Sequence, residues 1–224
     1  MKRLVCLIAA AAAALTAFSQ NGHLPRLSPR PRTVEGVAAP VMTLNGTWTF
    51  RTETLPSAPI EVPGEWTMQG FEVGEGETAV YTRTFQLPND WQGKRIKLRF
   101  DGVSSHAAVR INDRLVGEHE GSMAPFEFDI TDAVEPGTNT LTVETQALTV
   151  GDRLSCLSQY AAHTVGGILR KATLFALPQT NIAATDLNTA IDRSGRHAVL
   201  EITTALENAP GQEATVEYRL KDAA

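Results

Sequence analysis

Two pairs of glutamates stand two positions apart, so that in a β-strand both carboxyl groups of a pair would lie on one face. The pairs are Glu75 with Glu77 and Glu118 with Glu120. Two carboxyl groups about 5–5.5 Å apart can serve as nucleophile and acid/base in the cleavage of a glycosidic bond. Catalysis also needs a concave site, and nothing in the surrounding sequence marks one. The pattern therefore favours solvated charges on a sheet edge or in loops over a catalytic pair.

Other reactive residue types do not combine into a motif. The histidines, at positions 23, 106, 119, 163 and 197, lack the paired spacing of metal ligands. No Gly-x-Ser-x-Gly sequence marks a serine nucleophile. The sequence therefore predicts no metal ion, no cofactor and no catalytic residue in this chain.

The first residues resemble an export signal. Met1-Lys2-Arg3 is a positive start, and the apolar run from residue 4 to 14 is too short to span a bilayer. Small residues at Ala17 and Ser19 predict cleavage after Ser19. We therefore expect a secreted or periplasmic protein with no membrane span after cleavage.

The charge balance limits the kinds of binding partner, and the cysteine content limits how the fold can be stabilised. Removing Lys2 and Arg3 with the signal would leave 18 basic residues against 25 acidic ones, without a basic cluster. This balance argues against nucleic acid or an anionic membrane as partner. Cys156 would be the one remaining cysteine, so the fold must be held by its hydrophobic core and not by an internal disulfide.

Alternating apolar residues predict an all-β protein. In "RIKLRFDGV", Ile96, Leu98 and Phe100 share one face, and Lys97 and Arg99 take the other. Similar runs are "YTRTFQL", "AAVRIND", "PFEFDIT" and "NTLTVET", separated by turn residues such as Asn112-Asp113 and Pro136-Gly137. Strands recurring every 10 to 15 residues without helical periodicity predict an antiparallel β-sandwich.

Several segments, in order along residues 43–178, resemble one family. They include "LNGTWTF", "IEVPGEW", "VRINDRLVGEHEGSMAPFEFDIT" and "GGILRKATLFALP". Together they are similar to the N-terminal sugar-binding domain of glycoside hydrolase family 2, which includes β-galactosidases and β-glucuronidases. The resemblance implies a jelly-roll, galactose-binding-like β-sandwich, followed by part of an immunoglobulin-like β-sandwich. The predicted organisation is a signal peptide at 1–19, an extended lead-in at 20–40, the jelly-roll at 41–178 and the start of the immunoglobulin-like domain at 179–224.

The same resemblance implies that the reaction belongs elsewhere. A retaining glycoside hydrolase of this family carries its two catalytic glutamates in a barrel domain, and that barrel is not encoded in these residues. The expected partners are the barrel, through it a β-linked carbohydrate, and possible further copies in a homo-oligomer. The chain would shape the mouth of the active site.

Two residues are candidates for contact with sugar. The resemblance implies that the loop before "GGILR" sends a side chain toward the pocket, with an aspartate at the position of Ala161. Tyr160 could replace that contact by stacking on a sugar face, and His163 by bonding a hydroxyl. A loop packed at a domain interface also favours tyrosine and histidine, and the sequence favours this alternative.

Four aromatic or imidazole side chains remain to be placed. Trp48, Trp66 and Trp91 lie in core and turn motifs, which favours packing over a carbohydrate platform. His119 is expected near a face that other domains could cover. Two alternative functions stay open at this stage: a free-standing carbohydrate-binding module, and an inactive truncated fragment.

Overall fold

The computed structural model describes residues 40–121, 123–155, 163–207 and 211–221 of the 224-residue chain. Within these ranges the protein is almost entirely β-structure. The strands are β1 Val41–Thr43, β2 Gly46–Arg51, β3 Ala58–Val62, β4 Ala79–Leu87, β5 Arg95–Phe100, β6 His106–Ile111, β7 Arg114–Glu120, β8 Phe126–Asp129, β9 Gly137–Gln146, β10 Ala172–Leu177, β11 Asn181–Ile191 and β12 Ala198–Glu207. One short helix, α1, spans Val150–Ser155, and 3₁₀ turns span Thr67–Gln69 and Asn89–Trp91.

Two antiparallel sheets build a sandwich from the first ten strands. One has four strands in the order β1-β10-β5-β8, and the other has six in the order β3-β2-β4-β9-β6-β7. The sandwich confirms the predicted all-β fold. The short helix α1 is an addition that the sequence analysis did not predict.

The core lies between the two sheets and follows the alternation of the strands. In β5, Ile96, Leu98 and Phe100 are buried as predicted. The largest fully buried side chains come from both sheets, and include Phe50, Trp66, Tyr81, Phe100 and Phe126. Rings meet across this core, as where Phe50 packs edge-on against Tyr81 with centroids 4.9 Å apart. Burial of such rings is a main source of the stability of this sandwich.

Polar residues form the turn of the β6–β7 hairpin in the six-stranded sheet. Asn112 and Asp113 both have positive φ, at 49° and 63°, in the two-residue turn between β6 and β7. This conformation matches the twist of a hairpin and is one that asparagine and aspartate tolerate. The Asn112 side chain donates to the amide oxygen of the buried Asn139 at 2.8 Å. The predicted turn is therefore also held by a hydrogen bond to a buried side chain.

The last two strands form a separate two-stranded sheet, with β11 paired to β12. Its large apolar side chains stay exposed, among them Leu187, Ile191 and Val199. A cluster of charges joins this hairpin to the sandwich. Glu207, the last residue of β12, lies 2.6 Å from the ammonium group of Lys97 and 3.5 Å from the guanidinium of Arg95.

Candidate functional site

Two segments of the chain run side by side at one rim of the sandwich. Residues 163–168 lie against residues 64–67, joined by backbone hydrogen bonds. The Trp66 amide donates to the Gly166 carbonyl at 3.2 Å, and the Gly64 amide donates to the Ile168 carbonyl at 2.9 Å. This pairing fixes the "GGILR" segment relative to the start of the 3₁₀ turn.

The two consecutive glycines of that segment are required by close packing. A Cβ at Gly166 would lie 1.9 Å from the Trp66 ring. A Cβ at Gly167, where φ is +110°, would lie 2.5 Å from the Tyr81 hydroxyl. Trp66 and Tyr81 are themselves fully buried, and burial raises the pKa of the Tyr81 hydroxyl above its usual range. The floor beneath the rim is therefore rigid and aromatic.

Above this floor His163 faces Glu65. Nε2 of His163 lies 3.3 Å from Oε2 of Glu65, and the side chains are 33% and 14% exposed. The amides of Thr67 and Met68 donate to the two Glu65 oxygens at 3.0 and 2.7 Å. A carboxylate that accepts two backbone amides is held in one orientation, so a fixed carboxylate lies beside a partly exposed imidazole.

The predicted contact residues are placed as follows. His163 lies at the rim and is partly exposed, as a contact with a ligand requires. Tyr160 and Ala161 lie outside the described residues, as does Cys156. The structure therefore places one member of the predicted pair and joins it to Glu65, which the sequence analysis did not select. In sequence, Glu65 is a lone carboxylate in a turn, and only its approach to a residue almost 100 positions away distinguishes it.

The paired glutamates each have a structural partner. Glu75 bonds Arg153 at 2.8 Å, and Glu77 accepts the Thr54 hydroxyl at 2.6 Å and the Gly74 amide at 2.9 Å. These contacts hold the pKa of Glu77 at about 2, chiefly through hydrogen bonds from threonine side chains. A carboxyl group with that pKa remains ionised at neutral pH and cannot donate a proton there. Both residues lie in a loop, as predicted, and Glu75 is exposed, whereas Glu77 is only partly exposed.

The other pair corrects one expectation. Glu118 is exposed, 3.9 Å from His106, and Glu120 accepts a hydrogen bond from the Thr149 hydroxyl. His119 lies between them on the opposite face of β7, buried inside the sandwich and stacked on Phe126 at 4.0 Å. The expectation that His119 lies near an outer face was wrong. Strand alternation, which places Glu118 and Glu120 on one side of β7, turns the residue between them inward.

The three tryptophans are buried, which confirms that they pack in the core. An open groove of about 570 Å³ lies where β2, β3 and β4 meet, lined mainly by threonine hydroxyls, Pro59 and Arg83. Its lining includes neither Glu65 nor His163. Among the described residues no group of three His, Cys, Asp or Glu side chains could hold a metal ion. In the same part of the chain no helix has the length and apolar character that a bilayer crossing requires.

The chain is similar in sequence to several known proteins. Residues 71–178 match the family described as "Glycosyl hydrolases family 2, sugar binding domain". A β-galactosidase of Enterobacter cloacae is 30% identical over 235 aligned positions, which cover 88% of this chain and 22% of that enzyme. A β-glucuronidase of Bacteroides fragilis is 31% identical over 151 positions, which cover 64% of this chain and 21% of that enzyme. The chain thus spans about a fifth of the length of these relatives.

A solved structure shows the same fold. A β-glucuronidase from an uncultured Clostridium superimposes with a TM-score of 0.63 at 22% identity, covering 84% of this chain and 36% of that one. Fold and matches together define a β-sandwich domain of the sugar-binding class. The chain belongs to glycoside hydrolase family 2, and it corresponds to the N-terminal part of its β-galactosidase-like and β-glucuronidase-like members.

Proposed function

We propose that this chain is the exported, non-catalytic N-terminal part of an enzyme that hydrolyses β-linked glycosides. Its role is to form one side of the active-site mouth, where His163 contacts a sugar hydroxyl and Tyr160 adds a stacking surface. The catalytic glutamates belong to a barrel domain that this chain does not include. In this proposal the sandwich covers 41–178, and 179–224 begins an immunoglobulin-like domain.

The observation that carries the proposal is the partly exposed imidazole at the rim. Most polar groups that are buried in a protein have a hydrogen-bond partner there. His163 instead holds one nitrogen on a fixed carboxylate and keeps a third of its side chain in solvent. Such a group can exchange hydrogen bonds with a hydroxyl at little cost in conformational entropy, because its partner is already fixed. The sugar-binding family that this chain matches makes a carbohydrate the natural ligand.

The test uses the purified 224-residue chain and a sugar titration followed by NMR. Methyl β-D-galactopyranoside should shift the His163 ring signals, with a dissociation constant on the order of 10 mM for so few contacts. His163→Ala should abolish the response of neighbouring amides such as that of Thr164. His197→Ala, at the exposed hairpin turn, is the matched control and should leave it intact.

Two results would overturn this proposal. One is the absence of any sugar-dependent shift around residues 163–168. The other is release of nitrophenol from a chromogenic β-glycoside by this chain alone at enzyme-like rates, which would mean that the chain holds its own catalytic groups.

A further inference from the structure

We propose that Glu65 is a specificity-determining residue, which favours neutral hexosides over uronic acids at the His163 rim. This inference rests on the proposed sugar contact and adds the class of sugar that the rim accepts. The question is open because the relatives include both a β-galactosidase and a β-glucuronidase. These two kinds of substrate differ in charge, and charge is what Glu65 contributes.

The first step is that the Glu65 carboxylate cannot turn away from a ligand. Its oxygens are engaged by the Thr67 and Met68 amides at the start of the 3₁₀ turn, and one of them also meets His163. The side chain is only 14% exposed. Reorienting it would leave backbone amides unpaired, which is costly. The negative charge is therefore a fixed feature of the rim.

The second step is that the pair has no positive charge to offer. If the imidazole is neutral, the pair carries one negative charge, and if it is protonated, the pair is neutral overall. In neither state does it attract an anion. Among the described residues, the ion pair of Glu65 and His163 is the one they make with each other. Arg153, on the helix α1, is bonded to Glu75 at 2.8 Å.

The third step compares the two sugars at this position. A uronic acid would bring its carboxylate out of water to face another carboxylate, without the bidentate cation that normally compensates a bound carboxylate. A neutral hexoside would bring a hydroxyl, which can donate to an oxygen of Glu65 and accept from the His163 ring. The same geometry thus repels one substrate class and satisfies the other.

The Glu65 carboxylate also lies near the buried core beneath the rim. Burial raises the pKa of the Tyr81 hydroxyl, and the negative charge of Glu65 raises it further. Tyr81 lies on β4 and its hydroxyl reaches Gly167, directly below the rim.

The experiment compares two sugars that differ at one carbon. Methyl β-D-glucopyranoside and methyl β-D-glucopyranosiduronate are titrated into the labelled 224-residue chain at pH 7.5 and low salt, and the shifts at His163 and Thr164 give both affinities. The neutral glucoside should bind about tenfold more tightly than the uronate. Raising the salt to 0.5 M should reduce that ratio, since screening weakens the repulsion.

The variant Glu65→Gln supplies the decisive comparison. It removes the charge and keeps one of the two acceptor oxygens, so one of the Thr67 and Met68 amides loses its partner while the ratio of affinities should fall to within about twofold. Glu201→Gln, which removes a charge from β12, should retain the wild-type ratio. Equal binding of the two sugars by the wild-type chain, or an unchanged ratio in Glu65→Gln, overturns the role of Glu65 while the sugar contact stands. Failure of both sugars to shift His163 overturns the contact itself.

Discussion

The sandwich and the β11–β12 hairpin contrast in how they use apolar residues. In the sandwich, side chains such as Phe50 and Leu141 are completely buried between two sheets. In the hairpin, Leu187 and Ile191 are 64% and 69% exposed. Two strands cannot bury an apolar face between themselves, and an isolated hairpin is marginally stable at best. The sandwich therefore holds itself together, whereas the hairpin depends on contacts at its end nearest the sandwich.

The most direct test of this contrast is to replace one glycine by alanine in each region. Gly166→Ala places a methyl group within the Trp66 ring and should destabilise the sandwich by about 3 kcal/mol. Gly195→Ala, in the hairpin turn, meets no neighbour and should cost about 1 kcal/mol from its positive φ. Urea unfolding followed by tryptophan fluorescence reports on the sandwich alone, because all three tryptophans lie there. A shift of the fluorescence midpoint in Gly195→Ala would show that the two regions unfold as one unit.

The next largest effect is expected from the charge cluster that links the hairpin to the sandwich. Glu207→Gln removes the main partner of the buried Lys97, whose ammonium group keeps a weaker contact with Asp129 at 3.4 Å. We expect a loss of about 1–2 kcal/mol and faster amide exchange throughout β11 and β12. Adding Lys97→Met should cost less than the sum of the two single changes, because the unpaired buried charge is then removed. Additive effects would mean that the cluster does not hold the hairpin.

Between pH 7.5 and 5.0 a pH change should act on the sandwich through the buried His119. Burial lowers the pKa of His119, an effect that the nearby Glu120 partly opposes. Above pH 6.5 the ring is neutral both folded and unfolded, and no stability depends on it. Below that value the unfolded chain binds a proton that the folded chain resists, so stability falls as the pH drops toward the lowered folded pKa. Urea midpoints at pH 7.5 and 5.0 should diverge less in His119→Phe than in the wild type, and equal divergence would exclude this residue.

The smallest expected effects come from Glu77 and Asp192, two carboxylates that each hold a turn by hydrogen bonds. Glu77 holds the segments around Thr54 and Gly74, and Asp192 accepts the Ser194 hydroxyl at 2.8 Å in the hairpin turn. Hydrogen bonds lower the pKa of Glu77 from 4.5 to about 2. The stabilisation by these bonds is therefore complete above pH 4.5 and is lost as the pH falls toward 2. Glu77→Gln and Asp192→Asn should leave the urea midpoint unchanged and speed amide exchange at their own turns. A shifted midpoint in either variant would show that its turn is coupled to global unfolding.

The sequence predicted the sandwich well because its determinants are local. Alternation in β5 identified Ile96, Leu98 and Phe100 as buried, and the Asn112-Asp113 pair identified a hairpin turn. The burial of Lys97 could not be read in this way, since its partner Glu207 lies 110 residues further along. Alternation assigned that lysine to the outer face correctly, but did not show that the face is covered.

The candidate site was predicted only in part for the same reason. His163 was selected through the family resemblance, and the structure places it at the rim. Glu65 was missed because a glutamate between a proline turn and a tryptophan has no pattern of its own. Its significance comes from two backbone amides and an imidazole that converge on it in space. The location of Tyr160 and the predicted export stay predictions.

The strand order has a consequence for how the chain reaches this structure. β1 pairs with β10, and the amide of Ala172 donates to the side chain of Asn45, 127 residues earlier. Closing a loop of that length carries an entropic penalty before any contact rewards it, so topologies of this kind fold slowly. In its sheet β1 has β10 as its one neighbouring strand, so β1 stays unpaired during synthesis until nearly the whole sandwich has left the ribosome. Until β10 is made, β1 and the edge of β5 that β10 will cover have no partner strand. Unpaired strand edges promote aggregation, so this is the interval in which a chaperone is most needed.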